Sequence, residues 1–125
     1  MRFLCFIFLY NFIFSFTLEN IVVADGYGNE IDFTLINQKD NLEFGRNYFW
    51  IETVDGGYDV KYYTEQDIAG YQFNVEGSEL KSASGGASEK NNFIIQFAGK
   101  TVLGFSFDGK IIPSGRDDLL EFEVE

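Results

Sequence analysis

One stretch in the middle of the chain is Asp67-Ile-Ala-Gly-Tyr-Gln-Phe-Asn-Val-Glu-Gly77, and from Tyr71 to Glu76 it alternates strictly between apolar and polar side chains. Its apolar positions are Tyr71, Phe73 and Val75. A period of two puts these side chains on one face of an extended strand and the polar ones on the other. The alternation returns between residues 101 and 109, with Leu103, Phe105 and Phe107. We therefore predict two strands that bury these apolar faces in a shared core.

Length and composition favour one compact domain with a large core. The chain has 125 residues, 46% of them hydrophobic and fifteen of them Phe. Each buried Phe contributes roughly 1.5 to 3 kcal/mol, so a chain of this size can fold without cross-links. His is absent, and the single Cys is Cys5. The commonest general base and metal ligand is therefore missing, and no disulfide framework or thiol nucleophile is expected in the folded part.

The charge balance argues against one class of partner. The 20 acidic and 9 basic residues give a net charge of −11. Binding to nucleic acid needs a basic surface for the phosphates. We therefore expect no nucleic-acid partner, and an acidic surface that keeps the protein soluble.

Residues 1–17 are typical of a secretory signal peptide, with Arg2 before an apolar run that ends at Phe16. The run is short for an ordinary membrane-spanning helix. Cleavage after Thr17 or Ala24 and retention as an uncleaved anchor both stay open. We expect residues 18–125 to form the folded domain of a secreted, extracellular or cell-surface protein, in contact with a membrane only if the segment is uncleaved.

From residue 18 onward the chain consists of short extended segments separated by Gly, Asn and Asp, and none has a helical period. The strongest signal is a hairpin in which residues 47–54 and 58–63 flank the turn Asp55-Gly-Gly57. A two-residue loop there pairs even positions of the first strand with odd positions of the second. This register places the following side chains inward: Phe49, Ile51, Tyr58, Val60 and Tyr62.

The same register leaves three aromatic side chains, Tyr48, Trp50 and Tyr63, as neighbours on the opposite face. If exposed, such a row suits stacking on sugar rings or seating a protein partner. The alternative is that another part of the chain, within residues 18–46, covers them. They are our candidate ligand-binding residues.

Other segments predict further strands at residues 21–24 and 30–37. Further inward sets are expected as follows: Ile31, Phe33 and Leu35; Phe93, Ile95 and Phe97; Leu120, Phe122 and Val124. About nine strands without a helix predict an all-β antiparallel β-sandwich, preceded by the N-terminal hydrophobic segment.

Several motifs occur in the order found in one known family: Ala69-Gly-Tyr-Gln-Phe73, Ser82-Ala-Ser-Gly-Gly86, Thr101-Val-Leu-Gly-Phe-Ser-Phe107 and Ile112-Pro-Ser-Gly115. From about residue 58 to 124 the chain resembles a cohesin-type domain. The resemblance implies a nine-stranded jelly-roll sandwich, shared with some cellulose-binding modules. It also implies a secreted, non-catalytic module that binds another protein, a dockerin in the best-known cases, or a polysaccharide. The residues that match the family lie on buried strand faces and in glycine turns. None of the positions by which the family binds its partners can be assigned to a residue of this chain.

Two groups of acidic residues are candidates for a catalytic and a metal site. Glu121, Glu123 and Glu125 alternate on one strand, as a glycosidase carboxylate pair could, but a solvated edge that discourages aggregation is the better interpretation. Asp25, Asn29 and Asp32 surround a Gly-rich turn, as calcium ligands do, but their spacing fits a hairpin turn better.

The sequence thus predicts a secreted, cohesin-like module for protein-protein attachment. The alternative is a carbohydrate-binding module that uses the row Tyr48, Trp50 and Tyr63; an enzyme is a third hypothesis. We expect no catalytic residue, cofactor or metal, and a monomer with a dockerin-like protein or a polysaccharide as partner.

Overall fold

The computed structural model describes residues 17–36, 42 and 45–125. The predicted signal peptide, apart from Thr17, lies outside the described residues. The elements are β1 (Thr17–Ala24), β2 (Glu30–Ile31), β3 (Phe33–Leu35), β4 (Asn47–Val54), β5 (Gly57–Thr64), β6 (Gly70–Glu76), β7 (Leu80–Ser84), α1 (Gly86–Lys90), β8 (Ile94–Ala98), β9 (Thr101–Phe105) and β10 (Gly115–Val124). The predicted all-β sandwich is confirmed.

Two five-stranded sheets make up the described fold. The first sheet has the strand order β2-β1-β6-β9-β8, and the second has the order β3-β4-β5-β10-β7. Strand pairs are antiparallel except β3 and β4, which run parallel. Because β6 and β5 lie at the middle of their sheets, their apolar faces form the centre of the core between the sheets.

The strand predicted at residues 30–37 is divided between the two sheets. β2 pairs with β1, whereas β3 pairs with β4. Asp32 separates them and is exposed. The inward set is confirmed in part, since Ile31 is 3% exposed while Phe33 and Leu35 are half-buried. This segment closes one side of the sandwich by passing from the first sheet to the second.

The predicted hairpin is confirmed in position and register. β4 and β5 are joined by a two-residue loop at Asp55 and Gly56, and Val54 pairs with Gly57. Gly56 has a φ of 80°, a conformation that glycine adopts without strain. Of the predicted inward set, Phe49, Val60 and Tyr62 are at most 3% exposed. Ile51 and Tyr58 are half-buried.

The alternation at Tyr71, Phe73 and Val75 is confirmed, because all three are at most 3% exposed. The prediction for the second alternating strand is wrong. Val102 and Gly104 point inward on β9, Phe105 lies on the outer surface and Phe107 is 84% exposed.

Gly104 explains this reversal. It pairs with Tyr71 across β6 and β9, and a Cβ atom at position 104 would lie 2.5 Å from Tyr71 Oη and closer still to ring carbons. The ring of Tyr71 therefore occupies the inward space that a side chain at position 104 would fill. Since β9 contributes no side chain there, counting apolar residues assigns the wrong face to the strand.

One helix, α1, was not predicted, because the small polar residues of Gly86–Lys90 show no helical period. The helix is positioned by Ser88, which is fully buried and donates a hydrogen bond to the Leu119 carbonyl at 2.7 Å. Tyr71 Oη lies 2.6 Å from Ser88 Oγ. Because the Ser88 hydrogen is already donated, Tyr71 donates to Ser88, and the three residues form a buried chain from β6 through α1 to β10.

Candidate functional site

The aromatic row predicted from the sequence is assembled, but it is not open to solvent. Tyr48 pairs with Tyr63 and Trp50 pairs with Lys61, so the side chains are neighbours on the outer face of the second sheet. Tyr48 is 5% exposed and Trp50 is 1% exposed, whereas Tyr63 is half-buried. Of the two possibilities left open by the sequence, an exposed or a covered row, Tyr48 and Trp50 follow the second, since both are covered.

The contacts of Trp50 and Tyr63 account for part of this burial. The guanidinium of Arg116 lies 6.0 Å from the centre of the Trp50 ring, and Trp50 Nε1 donates to Glu52 at 3.0 Å. The Tyr63 hydroxyl donates to Glu65 at 2.6 Å, which raises the pKa of Tyr63. These partners take up the polar edges of the rings. Ligand binding by the row stays a prediction, and its burial does not favour stacking on a sugar.

A group of charged residues lies beside the row on the same face. Lys61 Nζ is 2.6 Å from Asp118 and 3.8 Å from Glu52. Partial burial, and then the negative charges of Asp118 and Glu121, raise the pKa of Asp59 above its ordinary value of 3.8. The Asp118 carboxylate raises the pKa of Lys61 by hydrogen bonding. The arrangement is a network of carboxylates around the Lys61 ammonium group, in which the ionised form of Asp59 is disfavoured.

The two acidic groups differ in outcome. The predicted edge role of Glu121, Glu123 and Glu125 is wrong, because β10 pairs with β5 on one side and β7 on the other and is not an edge strand. On β10, Glu121 is exposed and alternates with the fully buried Phe122, as an outer-face residue does. Asp25 Oδ1 accepts hydrogen bonds from the backbone N–H groups of Tyr27 and Asn29, both at 2.9 Å. An Asp that caps its own turn in this way is a turn former. Within the described ranges, no group of three or more acidic, His or Cys side chains is placed to hold a metal.

A different surface, the outer face of the first sheet, carries half-buried apolar residues with exposed apolar side chains beside them. Cross-strand pairing aligns Ala24 with Gly70, Gly70 with Phe105, and Phe105 with Ile94, which gives one apolar row across four strands. We call these four residues the Phe105 row. The residues Ala24 and Gly70 are small, so the row has a shallow floor beside the Phe105 ring.

The surroundings of the Phe105 row enlarge the apolar surface. Val22 is 49% exposed and Phe107 is 84% exposed. The Phe107 ring packs edge-on against the Phe105 ring, with 5.1 Å between the ring centres. Leu103, half-buried, lies in the next row, flanked by Gln72 on β6 and Gln96 on β8. Apolar side chains bordered by glutamines form a surface of the kind that binds other proteins.

A groove of about 490 Å³ continues this surface to the edge of the sheet. It is lined by residues of β8 and β9: Ile95, Gln96, Phe97, Ala98, Thr101 and Leu103. The sequence argument missed this face because it placed Leu103 and Phe105 in the core. The glycine at position 104, opposite the ring of Tyr71, is the signal that could have indicated the correct face.

In the part of the chain that the structure describes, no helix is long and apolar enough to cross a membrane. Comparison of the chain with protein-family models, with curated proteins and with solved structures finds no match.

Proposed function

We propose that the chain is a secreted, non-catalytic, cohesin-like module of the jelly-roll sandwich type, which attaches to a protein partner through the outer face of its first sheet. The observation that carries the proposal is the Phe105 row with the exposed Phe107 ring beside it. Soluble domains seldom expose a continuous apolar surface without a partner for it.

The geometry of the face favours a protein over a sugar. The apolar groups of this face are distributed over four strands and, with Phe107, the turn after β9, as in the centre of a protein interface. Phe107 is suited to act as an anchor, because it is an aromatic side chain that a partner pocket can enclose almost completely. With a net charge of −11, the module is suited to a basic partner, whose approach long-range attraction accelerates.

The family resemblance supports the same proposal through contacts. Tyr71 belongs to the motif on β6 and Gly104 to the motif on β9, while Gly86 ends the serine-rich motif and begins α1. Tyr71 fills the space over Gly104 and bonds to Ser88 two residues after Gly86. Two of the motifs thus pack against each other through Tyr71 and Gly104 beneath the proposed binding face, and the hydroxyl of Tyr71 is bonded just after a third motif.

A capture experiment tests the proposal. The immobilised chain is incubated with a panel of dockerin-bearing proteins, and binding is measured for the wild type and for Phe107→Ser. We expect the variant to lose at least about 10-fold in affinity, as for a central aromatic anchor.

Tyr27→Ser is the matched control, since Tyr27 is an aromatic side chain, 92% exposed, in the turn between β1 and β2. It should bind like the wild type. Failure to capture any partner, or equal loss in both variants, would count against the proposed face. A change in Trp50 fluorescence on adding soluble glucans, xylans or mannans would instead support the carbohydrate hypothesis.

A further inference from the structure

β8 differs from the other three edge strands of the sandwich, β2, β3 and β7. β2 has two residues and contains Glu30, β3 has three residues, and β7 carries the exposed Lys81. β8 has five residues, Ile94-Ile-Gln-Phe-Ala98, without a charge or a proline. Natural sheets protect long edges with such residues, because an unprotected edge pairs with another strand.

The alternation of backbone hydrogen bonds along β9 shows which backbone groups of β8 face outward. The Lys100 carbonyl accepts from the Val75 N–H on β6 at 2.7 Å, so Val102 and Gly104 also direct their backbone groups toward β6. The residues between them on β9 therefore direct their backbone groups toward β8, where they are bonded to Ile94, Gln96 and Ala98. Ile95 and Phe97 consequently direct their backbone groups away from β9, and no strand among the described residues pairs with β8 on that side.

The side chains of β8 leave an apolar surface at this edge. Phe97 pairs with the fully buried Val102 and so lies on the core side of the sheet, yet it is 40% exposed. Ile95, on the same side, is half-buried. The apolar set predicted from the sequence is therefore inward, but at Phe97 it is incompletely covered.

We propose that β8 pairs with β8 of a second copy of this chain, antiparallel about a two-fold axis at Gln96, so that two first sheets join into one. This proposal goes beyond partner binding at the outer face and does not depend on it. It also departs from the monomer expected from the sequence.

The strand is self-complementary in this register. An axis at Gln96 places Ile95 opposite Phe97 of the other copy, and Phe97 opposite Ile95. Both are the residues whose backbone groups point outward, so each opposed pair exchanges two N–H to carbonyl hydrogen bonds. The four outward groups of each copy are then all bonded, and each exposed Phe97 ring gains an Ile95 neighbour.

Charge also favours a second copy at this place. Two chains with a net charge of −11 each repel one another over most approaches. Residues 91–99 contain no charged side chain, so antiparallel pairing at β8 opposes no like charges directly. Five-residue strands bury little area, and the dimer is therefore weak and concentration-dependent.

The test changes the residue on the axis. In Gln96→Lys, two like charges face each other across the pair, whereas Gln96 itself is exposed and tolerates the change within one copy. Gln72→Lys is the matched control, since Gln72 is an exposed glutamine on the same outer face but two strands from the edge. Sedimentation velocity of the full chain is measured from about 1 µM to about 1 mM, the range of weak association.

We expect the wild type and Gln72→Lys to approach twice the 14.3 kDa mass of one chain as concentration rises. Gln96→Lys should weaken the dimer at least about 10-fold, and an equimolar mixture of Gln96→Lys with Gln96→Glu should restore it by pairing opposite charges. A wild type that stays monomeric, or a dimer unaffected by Gln96→Lys, would overturn the proposal. Protection of the Ile95 and Phe97 amides from hydrogen exchange only when a different protein is added would also overturn it, in favour of a partner strand.

Discussion

Substitution of Gly104 by Ala tests the packing that determines which face of β9 is buried. The added Cβ would lie 2.5 Å from Tyr71 Oη and closer to the ring, which is itself 3% exposed and has little room to move. Forcing a methyl group into such a core costs about 1 to 3 kcal/mol. Displacement of the ring also breaks the hydrogen bond to Ser88 and leaves a buried hydroxyl unpaired, at about 1 to 3 kcal/mol.

We therefore expect Gly104→Ala to lower the free energy of unfolding by about 2 to 6 kcal/mol, a large part of the total for a domain. Urea unfolding followed by fluorescence is the assay, because Trp50 is the only Trp and is 1% exposed. With a slope of about 2 kcal/mol per molar urea, the midpoint should fall by about 1 to 3 M at an unchanged slope.

Gly70→Ala is the matched control within a strand. A Cβ at Gly70 would meet only the Gly104 carbonyl at 3.5 Å, an ordinary contact, so its unfolding free energy should stay within about 0.5 kcal/mol of the wild type. In a Tyr71→Val background, without the ring, Gly104→Ala should cost much less. A Gly104→Ala protein as stable as the Gly70→Ala protein would refute the explanation of the buried face.

Three further substitutions test other parts of the fold. Ser88→Ala should cost about 1 to 3 kcal/mol in urea unfolding, because Tyr71 Oη and the Leu119 carbonyl lose their shared partner. Gly86→Ala should lower the thermal midpoint and cost about 3 kcal/mol, since its φ is +66° and the Cβ would lie 2.6 Å from the Leu119 carbonyl. Asp59→Asn should stabilise the fold at neutral pH. The pKa of Asp59 is raised in the folded state, so the folded protein binds this proton more readily than the unfolded chain does. The ionised carboxylate therefore destabilises the fold above its folded pKa, and this cost vanishes below the ordinary value of 3.8. Urea unfolding of the wild type and Asp59→Asn is compared at pH 7 and pH 3. A gain in unfolding free energy that is equal at both pH values would contradict this prediction.

Local chemistry explains which parts of the fold could be predicted. The hairpin of β4 and β5 followed from one Asp-Gly turn, because a two-residue loop determines the pairing of every later residue. The face of β6 followed from strict alternation at Tyr71, Phe73 and Val75. In both cases the information lies within a few residues of the element.

The remaining features depend on residues far apart in the chain. The buried face of β9 is determined by Tyr71, about thirty residues earlier, and α1 is held by the Leu119 carbonyl, about thirty residues later. Trp50 is on the outer face that the hairpin register predicted, yet Arg116 from β10 lies over it. Pairing registers locate a side chain on a face, but only the tertiary arrangement determines whether that face is covered.

The most direct test of the account is a hydrogen-exchange footprint of the chain with a captured protein partner. The account predicts slower exchange on β6 and β9, around Gly70, Leu103 and Phe105, with the segment containing Tyr48 and Trp50 unchanged. A footprint confined to β4 and β5, around Tyr48 and Tyr63, would contradict the proposed binding face.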